Sequence, residues 1–85
     1  MKTITEKDLA QFEKNIKAWK AHNFLYDREF VKQYVKDRKD LRMIVSLIKK
    51  GNLVMAGRKA WLLDTIVREQ IPNKIFNIID SAWIK

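Results

Sequence analysis

Leu41-Arg42-Met43-Ile44-Val45-Ser46-Leu47-Ile48-Lys49-Lys50-Gly51-Asn52 is the stretch that decides the fold. Leu41, Ile44 and Ile48 recur at spacings of three and four, and Val45 widens the track, which marks a helix with one buried face. Lys49 and Lys50 stand where the negative end of a helix dipole favours cations. Gly51 tolerates the left-handed backbone that a helix C-cap requires. One helix therefore ends at residue 50.

Towards the N-terminus the same track runs through Tyr34 and Phe30, with Val31 and Val35 beside it. No Gly or Pro interrupts it. The charged run Lys36-Asp37-Arg38-Lys39-Asp40 is thus read as the solvated middle of a helix from 28 to 50, capped by Asp27. A break with Asp40 capping a second segment is the alternative. Before it lies a short apolar connector, Phe24-Leu25-Tyr26. The first helix starts at Thr5, an N-cap residue with Asp8 three positions on for a capping box and Ile4 and Leu9 at the staple positions. Its stripe is Leu9, Phe12, Ile16 and Trp19, and it is expected to fray near His22-Asn23.

Beyond Gly51-Asn52, a helix over roughly 54 to 70 carries Trp61, Leu62, Ile66 and Val67, its start weakened by Gly57. Ile71-Pro72 marks a boundary, with Pro72 suited to position N1 of a last helix bearing Ile75, Phe76, Ile79 and Trp83. The period-two alternation of half-buried strands is nearly absent. The expected fold class is all-α: one basic domain over 1–85, a compact bundle of four short helices, with three to five allowed by merging or splitting.

Composition bounds the function. Eighteen Lys and Arg against ten Asp and Glu leave the chain at +8, a surplus that attracts polyanions and steers their approach. Cysteine is absent, which removes disulfides and thiolate-held metals and fits a reducing compartment. No apolar run nears the roughly 20 residues of a membrane span, and no signal peptide is visible. The expectation is a cytoplasmic monomer without membrane association.

Half the net charge lies in residues 27–50, where eight basic groups face four acidic ones. Lys32, Lys36 and Lys39 share one helical face, extended by Arg28 and Arg42, and can meet successive phosphates of DNA or RNA. An ordinary solvated face with i±4 partners is the alternative use of those charges. Arg58 and Lys59 form a secondary candidate, since a helix starting near Ala56-Gly57 would offer free N–H groups to a phosphate. The spacing of a nucleotide-binding P-loop is missing, and Gly57 equally suits close helix packing. Phe24 and Tyr26 are candidates for base stacking. The outline of a helix-turn-helix around Gly51-Asn52 is weak, because Gly57 disturbs the register of a recognition helix.

No enzyme chemistry is visible. His22 is the single histidine and lacks any metal-ligand spacing, and Ser46 and Ser81 have no recognisable base-and-orienter pattern. No catalytic residue, metal or cofactor is expected. The function expected is a non-enzymatic nucleic-acid-binding or nucleic-acid-associated accessory protein, contacting phosphates with little sequence preference. The rival is an adaptor or inhibitor docking on an acidic protein partner. Buried tryptophans under a uniformly basic surface favour nucleic acid, whereas Trp61 or Trp83 exposed beside Ile or Leu favours the protein partner.

Overall fold

The computed structural model describes residues 3–19 and 28–84, with 28–31 described through their backbone alone. Five helices follow one another there: α1 (Glu6–Ala18), α2 (Arg28–Lys49), α3 (Leu53–Trp61), α4 (Thr65–Arg68) and α5 (Asn73–Ile84). The described residues include no strand. The chain is the compact all-α bundle its periodicity predicts, with α4 a single turn.

α1 opens on the expected capping box. Thr5 N–H donates to Asp8 Oδ2 at 2.9 Å, and Asp8 N–H donates to Thr5 Oγ1 at 3.2 Å. The same carboxylate holds Lys74 Nζ of α5 at 2.8 Å. The Lys74 hydrogen bond, then the Thr5 N–H, lower the Asp8 pKa to about 2. The helix stops at Ala18, earlier than the fraying expected near His22-Asn23. Trp19 turns extended (ψ 105), its carbonyl accepts from the Tyr34 hydroxyl at 2.6 Å, and its ring lies 4.9 Å from that of Tyr34. This tertiary anchor replaces further helical bonds. The Phe24-Leu25-Tyr26 connector lies outside the described residues.

α2 is one helix of 22 residues, about 33 Å long at 1.5 Å per residue. The run 36–40 does not break it. Its end is a Schellman turn: Asn52 N–H donates to the Leu47 carbonyl at 2.9 Å and Gly51 N–H to that of Ile48 at 3.0 Å. Gly51 adopts φ +81, the left-handed region where a Cβ is disfavoured.

The single helix expected over 54–70 is instead broken. Asn52 caps α3 by accepting from Met55 N–H, and Asp64 is extended (ψ 154) before α4. Arg68 stabilises the break from below. Its Nε donates to the Ala60 carbonyl at 3.2 Å, and its Nη2 to those of Trp61 at 3.1 Å and Leu63 at 2.9 Å. Carbonyls left without helical partners at the end of α3 are thus bonded by a guanidinium. At α5, Phe76 N–H donates to the Pro72 carbonyl, which makes Pro72 the N-cap residue rather than N1.

The core draws on every helix. Phe12 and Ile16 of α1, Leu41, Ile44, Val45 and Ile48 of α2, and Ala56 and Ala60 of α3 meet Leu63, Val67, Ile71, Ile75 and Ile79. α3 and α5 run antiparallel in the most extensive contact, brought together at Gly57. A Cβ there would collide with the Ile79 carbonyl and stand 2.6 Å from Trp83 Cβ. Close packing is therefore the work of Gly57.

Candidate nucleic-acid interface

The 3.6-residue period places Lys32, Lys36, Lys39 and Arg42 on the side of α2 opposite Leu41, Ile44 and Ile48. All four are exposed. From Lys32 to Arg42 the row rises about 15 Å along the helix axis. Arg28 begins the same helix one turn earlier, and only its backbone is described.

The two α2 carboxylates whose side chains are described, Asp37 and Asp40, are turned away from this row. Asp37 is buried at 8% exposure and accepts from Gln33 Nε2 at 2.8 Å. Its burial pushes its pKa up, with the Gln33 hydrogen bond opposing. Asp40, on the flank towards α3, pairs with Lys59 at 3.5 Å. Among the described residues no carboxylate lies within ion-pair distance of Lys32, Lys36, Lys39 or Arg42. Val35 and Met43, exposed at 58% and 45%, interleave with the cations.

The secondary candidates are placed differently. Arg58 is exposed and Lys59 half-buried, both in the last turn of α3 rather than at a helix start. The N-terminus of α3 lies at Asn52-Leu53, so helix-start N–H groups are not beside them. Lys59 is drawn into its bridge with Asp40. Phe24, Tyr26 and His22 lie outside the described residues.

Three cations that the sequence stripes did not single out join the surface. A groove of about 450 Å³ runs between α1 and α2, with Ile16 and Val45 at its floor and Lys17, Arg42 and Lys49 around it. A shallower hollow beside it is lined by Val35, Arg38, Lys39 and Arg42. Arg42 belongs to both. The Nε of Arg38 is buried without a hydrogen-bond partner. Lys17 and Lys49 lie on different helices, so only the packing of α1 on α2 brings them together.

The tryptophans sit at the rim of the core rather than inside it. Trp61 is 43% exposed and Trp83 38%, near Leu62 (79%), Ile66 (67%) and Ile84 (67%). Trp61 is nonetheless held within the chain. Its Nε1 donates to Asp80 Oδ1, Arg68 lies 4.6 Å over its ring, and Phe76 packs at 6.0 Å. Of the expected stripe Trp61, Leu62, Ile66 and Val67, only Val67 is buried; the other three are turned outward, and Ala56, Ala60 and Leu63 join Val67 in the core.

Among the described residues no three His, Cys, Asp or Glu are grouped to hold a metal ion, and no helix is long and apolar enough to cross a membrane. No family model, curated protein or solved structure matches the chain.

Proposed function

We propose that this protein is a non-enzymatic nucleic-acid-binding accessory module whose working surface is the outward face of α2. The observation that carries the reading is the sorting of charge on that helix. Lys32, Lys36, Lys39 and Arg42 are exposed in a row, while Asp37 and Asp40 are turned towards the core and α3. Such a row matches a phosphate chain, whose contacts fix position and carry little sequence information. Phosphate contacts release counterions, so affinity falls steeply with salt. Fluorescence titration with short single- and double-stranded oligonucleotides tests it. Lys32→Gln/Lys36→Gln/Lys39→Gln, still folded, weakens binding to unrelated sequences alike; unchanged affinity refutes the assignment.

A second reading, docking on an acidic protein partner, is favoured by the exposure of Trp61 and Trp83 beside Leu62, Ile66 and Ile84. This is the pattern that separates a protein interface from a purely basic surface. It ranks second because Trp61 is already engaged by Asp80, Arg68 and Phe76, whereas Lys32, Lys36, Lys39 and Arg42 face solvent without ion-pair partners among the described residues. Failure of both oligonucleotides to bind at low salt would put the partner protein first.

A further inference from the structure

We propose that the groove between α1 and α2 is the anchoring phosphate seat of the nucleic-acid surface, and that Glu13 occupies it as a built-in competitor in the free protein. The inference rests on the nucleic-acid reading and adds where a phosphate is held most firmly. Lys17 from α1 converges with Arg42 and Lys49 from α2 over a floor of Ile16 and Val45. Both floor residues are buried, at 2% and 4% exposure. A charge seated there has less water around it than one on the open face of α2, which strengthens its attraction to the cations.

One carboxylate enters this cluster. Glu13 Oε1 stands 3.0 Å from Lys49 Nζ, and the two side chains are 47% and 57% exposed. A solvated pair of this kind is weak, and a phosphate oxygen can take the place of the carboxylate oxygen. Three cations against one carboxylate leave the seat positive before and after the exchange. Arg42 connects the seat to the hollow beside Lys39 and Arg38, so a strand laid along the row of α2 reaches the groove without leaving basic surface. The exposed Ser46 supplies a hydroxyl donor at the same edge.

Removal of the competitor is the decisive test, because it makes binding tighter rather than weaker. Glu13→Gln frees Lys49 for the strand. One added phosphate contact corresponds to about tenfold in affinity at about 50 mM salt, from the logarithmic salt slope per contact. Glu69→Gln, an equal charge change at an exposed position far along the chain, is the control. Labelled oligonucleotide should bind Glu13→Gln about tenfold more tightly, Glu69→Gln less than about twofold more tightly, and Lys17→Gln/Arg42→Gln more weakly than wild type. Equal gains in the two glutamate variants would mean that only bulk charge acts, and would overturn the seat. If wild type binds no oligonucleotide, titration with inorganic pyrophosphate, read on the amide resonances of Val45 and Ser46, separates the two ideas. Saturable shifts lost in Lys17→Gln/Arg42→Gln keep the seat while the nucleic-acid reading falls, and no shift overturns both.

Discussion

The outward faces of α2 and α3 differ in what their polar groups are doing. On the α3 side Lys59 is committed to Asp40, Trp61 to Asp80, and Arg68 to three carbonyls and an indole ring, while Arg58 is exposed. On α2 the cations Lys32, Lys36, Lys39 and Arg42 hold no ion-pair partner among the described residues, while Asp37 and Asp40 are turned away. A polar side chain with internal partners is explained by the fold. A row of like charges without them raises the energy of the free protein and is relieved by an anion. On the proposed reading, the α3–α5 side serves stability and α2 serves binding.

Gly57→Ala should have the largest effect on the first half of that division. Its Cβ would meet the Ile79 carbonyl and Trp83 Cβ, so α3 and α5 must separate at a cost of about 3 kcal/mol. Urea unfolding measures it, and a loss under about 1 kcal/mol would mean that the α3–α5 contact yields easily. Arg68→Ala comes next, at about 2 kcal/mol, because the carbonyls of Ala60, Trp61 and Leu63 lose the guanidinium and Trp61 loses the cation over its ring. Oligonucleotide affinity of the folded Arg68 variant should change little, and a large drop would move binding to the α3 side.

The smallest effects concern pH, where two aspartates act in opposite directions. Asp8, lowered from 3.8 to about 2, contributes stability that is present above its unfolded value and lost as pH falls from about 4 towards 2. Asp37, raised by burial, favours folding most below 3.8, and its contribution is lost as pH rises through its folded value. Asp37→Asn should therefore be at least as stable as wild type at pH 7, with the difference vanishing in acid. A variant less stable at pH 7 would show that the charged carboxylate is itself needed.

Sequence periodicity carried the fold where the signals were local. The Thr5–Asp8 box, the uninterrupted α2 and the stop at Gly51 all depend on residues within a few positions of one another, and each is found. The break at residues 62–64 was not legible, because it depends on Arg68 reaching back across a turn to carbonyls that a pattern of apolar residues does not represent. For the same reason the apolar spacing points Leu62 and Ile66 to the core, and both are exposed. The row on α2 was legible because one helix carries it. The groove was not, since Lys17 and Lys49 are distant in sequence and meet only through the packing of Ile16 against Val45. An i, i+4 pattern along one helix does not contain such a pair.

The division between the two faces is tested most directly by the salt dependence of oligonucleotide binding, wild type against Lys32→Gln/Lys36→Gln/Lys39→Gln. All three side chains are exposed, so the variant should keep its unfolding midpoint, each change being worth less than about 0.5 kcal/mol. Three phosphate contacts contribute about 2 to 3 to the slope of log affinity against log salt. The account predicts a slope shallower by that amount in the variant, alike for unrelated sequences. A slope identical to that of wild type, in a variant that remains folded, would contradict it.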